Sequence, residues 1–79
     1  MKKSNKQIEK FISISLKKIN SRYGKFKKNL NLFEQSLDSL DFFSLIFIVE
    51  KKYMIKINSN VFGKVESIEK MAKYIKKKL

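Results

Sequence analysis

Near the amino end of the chain, seven residues recur at the three- and four-residue spacings of one helix face, and this periodicity constrains the fold more than any other feature. An α-helix turns once every 3.6 residues, so residues at this spacing share one face and need an apolar surface to pack against. The spacing predicts a helix from about Asn5 to Ser21, and we expect Gly24 to end it in a left-handed turn. The periodic residues are Ile8, Phe11, Ile12, Ser15, Leu16, Ile19 and Tyr23.

The rest of the chain reads as further helices. A helix is predicted from about Ser39 to Tyr53, after a long connection at residues 22–37, and a short one near residues 60–63. A lone strand at residues 55–61 is the alternative there, although no second strand is available to pair with it. The last helix carries one apolar stripe, formed by Ile68, Met71, Ala72, Ile75 and Leu79. We predict an all-α fold, a small four-helix bundle with a long loop between helices 1 and 2, as a single domain over residues 1–79.

Composition argues against several classes of function. The 79 residues include no cysteine and no histidine, so redox chemistry or metal binding at cysteine thiols is excluded and the usual general base near neutral pH is missing. We therefore expect no enzyme activity, no catalytic residue and no metal site. The apolar run at residues 42–49 is too short to span a bilayer. No apolar core follows the basic start of the chain, so we expect a cytoplasmic protein without a signal peptide.

The stretch Asp38-Ser39-Leu40-Asp41 stands directly before that apolar run. Asp38 has the character of a helix N-cap, and Asp41 lies three residues on, as in a capping box. Ser39 then becomes the first helical residue, with its hydroxyl at the positive end of the helix dipole. A phosphate attached there is electrostatically favoured. On position alone, however, an exposed serine at a helix start needs no function.

Taken together, these residues resemble the acyl carrier protein family, in which Asp-Ser-Leu opens the second helix. The likeness extends from about Ile8 to Ile75 and is strongest over residues 38–53, with further matches at Phe33, Ile57, Ile68, Tyr74 and Ile75. Four features differ from the family pattern. Ser36 stands where a glycine is common, and the loop before Asp38 looks one residue shorter. Ser44, Lys51 and Lys52 replace acidic residues of the second helix, and Lys56 replaces another.

The resemblance implies a chemistry for Ser39. In the family, a phosphopantetheinyl transferase moves 4′-phosphopantetheine from coenzyme A onto this serine, and the thiol of the arm then holds an acyl group as a thioester. Asp38 and Leu40 would belong to the motif that the transferase reads. The resemblance also implies a freestanding monomer that delivers acyl cargo to acyl-transferring and acyl-modifying enzymes. An apolar cavity between the helices is expected to shelter the acyl chain, lined by Phe11, Leu45, Ile46, Val49, Ile57 and Ile68.

Charge is distributed unevenly along the chain, which has a net charge of +12. Residues 29–50 contain four acidic residues and no basic one, whereas the segments on both sides are strongly basic. Family members are usually acidic and dock on basic patches of their partner enzymes. We therefore expect partners to bind the acidic segment, with Asp41 and Glu50 as charged contacts and Phe43 and Phe47 as apolar anchors.

Three interpretations remain open at this point. The first is an acyl carrier, most simply in fatty acid biosynthesis, with carriage of an aminoacyl, D-alanyl or polyketide group as its variant. The second is a basic module that binds nucleic acid or a membrane surface. Lysine dominates its charge, with Arg22 the one arginine, and base readout favours arginine, so we expect no specific nucleic-acid partner. The third is a structural helical module that binds a protein through Phe43 and Phe47.

Overall fold

A computed structural model describes residues 4–79 and contains three α-helices joined by 3₁₀ helices. The α-helices are α1 (Asn5–Ile19), α2 (Ser39–Tyr53) and α3 (Ile68–Lys78). The 3₁₀ helices span Ser21–Lys25, Phe33–Gln35 and Ser59–Lys64. The predicted all-α bundle is confirmed, and its short third helix has 3₁₀ geometry. No strand occurs within residues 4–79, so the alternative of a strand at residues 55–61 is wrong.

The first helix begins where the sequence indicates and ends earlier than predicted. Ser4 and Gln7 form a reciprocal capping box at its start. The helix ends at Ile19 rather than Ser21 because Asn20 is extended and its side chain accepts a hydrogen bond from the Arg22 N–H. This side chain caps the next 3₁₀ helix and competes with continuation of α1. The predicted left-handed turn at Gly24 is wrong, since neither glycine of the described chain has a positive φ.

The core forms where the apolar stripe of α1 meets α2 and α3. α1 packs against both of these helices, and its Ile8, Ile12 and Leu16 are fully buried. The predicted apolar stripe of α3 is also buried, apart from the exposed Leu79 at the chain end. In α2 the buried apolar side chains include Leu45, Ile46, Val49 and Tyr53. The buried apolar side chains form a single cluster, so the inward face of each helix is covered.

The long loop before α2 is held by backbone and side-chain hydrogen bonds. The Leu32 N–H donates to the Glu66 carbonyl at 2.7 Å, and the Glu69 N–H donates to the Lys28 carbonyl at 2.9 Å. These two bonds tie the loop to the start of α3. The side chain of Gln35 accepts from the Lys27 N–H at 2.7 Å and donates back to the Lys27 carbonyl at 3.0 Å. The loop is therefore ordered and fixes the position at which α2 begins.

Ser36 has a left-handed backbone, with φ 76° and ψ 26°. It follows the 3₁₀ helix Phe33–Gln35, and its N–H donates to the Phe33 carbonyl. The acyl carrier protein family, which the sequence resembles, commonly has glycine at this position. A side chain with a Cβ is strained in this region by about 1 kcal/mol or more.

Replacing Phe42 is expected to unfold much of the protein. Its ring is 1% exposed and contacts the rings of Phe33 and Phe62, with centroids 4.9 and 5.3 Å away. Phe42→Ala should cost about 3–5 kcal/mol, which is comparable to the whole stability of a small domain. Circular dichroism during urea unfolding measures the loss. Phe43→Ala is the matched control, because Phe43 is 52% exposed. A similar loss of stability in both variants would contradict the assignment of Phe42 to the core.

Relieving the strain at Ser36 is expected to stabilise the fold. Ser36→Gly removes the Cβ from a left-handed residue, and the gain is partly offset by the extra freedom of glycine in the unfolded chain. We expect a net gain of about 0.5–1 kcal/mol in the free energy of unfolding. The same change at Ser44, inside α2, should instead destabilise the protein. A loss at both positions in thermal unfolding would show that Ser36 is unstrained.

Candidate functional site

Ser39 is the first residue of α2, and its side chain is exposed. Asp38 is the N-cap, and its Oδ1 accepts from the Leu40 N–H at 2.9 Å. This confirms the predicted helix start. No hydrogen bond within residues 4–79 involves the Ser39 hydroxyl. The hydroxyl therefore faces solvent beside the free N–H groups of the first turn, where the helix dipole favours negative charge.

Asp41 does not complete the capping box that its position suggests. Its Oδ2 accepts from the hydroxyl of Tyr23 at 2.6 Å, and that hydroxyl in turn accepts from the Asp38 N–H at 3.4 Å. Tyr23 thus stands between two groups that would bond directly in a capping box. It links the 3₁₀ helix after α1 to the turn that carries Ser39.

The Asp41 contact changes the acidity of Tyr23. Donation of the hydroxyl proton to Asp41 raises the pKa of Tyr23, and burial raises this pKa further. Both effects oppose the phenolate, because a negative oxygen beside a carboxylate has no proton to donate. Burial likewise raises the pKa of Tyr53, whose ring meets that of Phe11 edge to face.

Sequence reasoning missed the role of Tyr23. It contributed only to the apolar periodicity of α1, and the 8% exposure of its side chain agrees with that assignment. Its hydrogen bonds join residues 15 and 18 positions apart. No local sequence motif predicts such a contact. The one available signal is that the hydroxyl of a buried tyrosine usually needs a hydrogen-bond partner.

The four residues predicted to dock partners fall into two groups. Phe43 and Phe47 are 52% and 58% exposed, so they are free to act as apolar contacts. Asp41 and Glu50 are partly buried and serve internal hydrogen bonds. Oε2 of Glu50 accepts from the Ile57 N–H at 2.7 Å, across the turn that follows α2. A docking role for any of the four stays a prediction.

The residues predicted to line an acyl cavity lie together in the core. Five of them are buried and Phe11 is partly buried, and they contact one another closely. A cleft of about 500 Å³ instead opens at the surface between α3 and the start of α1. It is lined by Asn5, Lys64, Lys70, Lys73, Tyr74, Lys76 and Lys77. An acyl chain would have to separate the core side chains to enter at the predicted place.

In the part of the chain that the structure describes, none of the helices is both long and apolar enough to cross a membrane.

Comparisons with known proteins place the chain in a family. The family model described as a phosphopantetheine attachment site matches residues 25–75, which is well over half of the chain and includes the start of α2. Neither the search of curated proteins nor the search of solved structures found a match.

Removing the Tyr23 hydroxyl is expected to destabilise the turn at Ser39. Tyr23→Phe should lower the free energy of unfolding by about 1–2 kcal/mol at neutral pH, because Asp41 then loses a donor. The raised pKa means that this contribution is complete below the unfolded-state pKa of about 10 and is lost as the pH rises through the folded-state value. Urea unfolding of both proteins at neutral and at strongly alkaline pH measures the difference.

Tyr74→Phe serves as the control for that experiment, since no hydrogen bond within residues 4–79 involves its hydroxyl. A stability gap between wild type and Tyr23→Phe that is unchanged at alkaline pH would contradict the assignment of the Tyr23 contact.

Proposed function

The chain belongs to the family with a phosphopantetheine attachment site, and from this membership we propose that Ser39 is the attachment residue and that residues 1–79 form a single acyl carrier domain. The cofactor of the family is 4′-phosphopantetheine, and its domains are carriers rather than enzymes. Carrier domains interact with phosphopantetheinyl transferases and with acyl-handling enzymes in general. When bound, the arm supplies a terminal thiol that holds an acyl group as a thioester.

The geometry of Ser39 supports this assignment more than any other single observation. The hydroxyl is exposed and free of internal hydrogen bonds among the described residues. It lies at a helix N-terminus, where a phosphodiester is stabilised by the dipole and the first N–H groups. Asp38 takes only the Leu40 N–H, so the other N–H groups of the first turn remain available to phosphate oxygens.

The residues around Ser39 hold this turn in place. Asp38 caps the helix, and Tyr23 joins the backbone of Asp38 to the side chain of Asp41. Leu40 is 73% exposed beside the serine, which makes it available to a modifying enzyme. We infer that a transferase contacts Asp38 and Leu40 directly. Tyr23 acts indirectly, by holding the turn in position.

A carrier contributes delivery rather than bond-making. A tethered thioester reaches a docked enzyme at a high effective concentration, so weak contacts suffice. Fatty acid biosynthesis is the pathway that we propose, on the strength of the resemblance along α2. An aminoacyl, D-alanyl or polyketide cargo is the alternative. Parallel loading of the modified protein with an acyltransferase of fatty acid synthesis and with an amino-acid ligase would distinguish them.

Attachment at Ser39 predicts a definite mass change. Incubation with coenzyme A and a phosphopantetheinyl transferase should add one phosphopantetheine arm, and Ser39→Ala should abolish the addition. Ser36→Ala and Ser44→Ala retain Ser39 and should be modified. Mass spectrometry of the intact proteins measures the outcome. Modification of Ser39→Ala, or none in the wild type under conditions where a known carrier accepts the arm, would refute the assignment.

A further inference from the structure

One side of α2 exposes large apolar side chains, and another follows at the end of the helix. Leu40, Phe43, Phe47 and Met54 are 73%, 52%, 58% and 87% exposed. Leu40, Phe43, Phe47 and Lys51 are spaced by three or four residues, so they share one side of the helix. Met54 follows the helix as its C-cap. We call these five residues the α2 face. Exposed apolar side chains in succession on one side of a helix are typical of a binding surface.

The carboxylates of α2 are engaged inside the molecule. Asp41 accepts from the Tyr23 hydroxyl at 2.6 Å, and Glu50 accepts from the Ile57 N–H at 2.7 Å. Both side chains are partly buried. Using them to bind a partner would compete with the contacts that hold the start and the end of the helix. Beyond the first turn, α2 therefore offers little free negative charge.

Positive charge instead borders the far end of the α2 face. The Lys51 Nζ lies 5.1 Å from the centroid of the Phe47 ring, an arrangement that keeps the ammonium group next to the apolar stripe. Lys52 lies on the adjacent side, over the ring of Phe11, and Lys56 is exposed just after Met54. Within residues 4–79 the one ion pair joins Lys28 to Glu9, so no carboxylate neutralises these lysines.

We propose that the α2 face docks on a partner enzyme whose docking patch is an apolar groove bordered by carboxylates. Phe43 and Phe47 enter the groove, and Lys51 meets the acidic border. This is the reverse of the basic patch expected for carriers with an acidic second helix. The proposal rests on the carrier function above, and complementarity of charge selects the partner, because like charges across an interface repel.

Two versions of one acyltransferase provide the test. The first keeps the basic docking patch that serves an acidic carrier, and in the second the lysines and arginines of that patch are changed to glutamate. The dissociation constant of each is measured by calorimetry with Ser39→Ala, which keeps the α2 face and has no arm. We expect binding to the glutamate version to be tighter by about tenfold, the effect of roughly one well-placed charge pair.

Matched variants separate the α2 face from general charge. Lys51→Glu and Lys73→Glu both lower the net charge from +12 to +10, but Lys73 lies in the cleft on α3. Lys51→Glu should remove most of the preference, and Lys73→Glu should keep it. Phe47→Ala should weaken binding to the glutamate version several-fold, because an apolar anchor is lost. Glu50→Gln, which can still accept from Ile57, should leave the preference unchanged.

Several outcomes would overturn the proposal. These are tighter binding to the basic version, equal effects of Lys51→Glu and Lys73→Glu, or no measurable binding to either version. Because the binding protein carries no arm, these outcomes are independent of attachment. The mass change of the wild type reports separately on the proposed function, so failure of docking and failure of attachment are distinguishable.

Discussion

Burial of the apolar stripe of α1 between α2 and α3 is the constraint on which the structure depends. A chain of this length hides only about 60% of its unfolded surface, so each helix must cover the others. Ile8, Ile12 and Leu16 are fully buried, and they bring the end of α1 close to the start of α2. The same packing places Tyr23 within reach of Asp38 and Asp41. Stability of the core and geometry of the candidate site are thus consequences of one arrangement.

In this helix packing, neighbouring residues at the start of α2 have different structural roles. Asp38 caps the helix, Asp41 receives the Tyr23 hydroxyl, and Ser39 is left exposed between them. A hydroxyl on a helix start is better fixed in space than one on a mobile loop. The loop before it is hydrogen-bonded to the start of α3 and held internally by the side chain of Gln35. Ser39 therefore follows an ordered segment. These features suit a residue that another enzyme must find and modify.

The charge of the folded surface differs from what the distribution of charge along the sequence suggests. Along the sequence, residues 29–50 form an acidic segment in a basic chain, which suggests a negatively charged docking surface. In the fold, Asp41 and Glu50 turn toward internal donors, whereas Lys51 remains at the surface beside Phe47. The net charge of a segment therefore does not give the charge of the surface that a partner meets.

Features that depend on near neighbours in the chain could be predicted from the sequence. The start of α2 at Ser39 follows from an aspartate cap that bonds two residues along the chain, and the inward faces of the helices follow from apolar periodicity. Two local features were nevertheless not predicted, the early end of α1 at Asn20 and the left-handed Ser36. The Tyr23 bridge and the internal bonds of Asp41 and Glu50 could not be predicted, because they depend on packing. The sequence by itself determined the helices and the position of the candidate serine. Only the tertiary structure decided which carboxylates of α2 are engaged internally, because those contacts join the helix to segments outside it and exist only when the chain is packed.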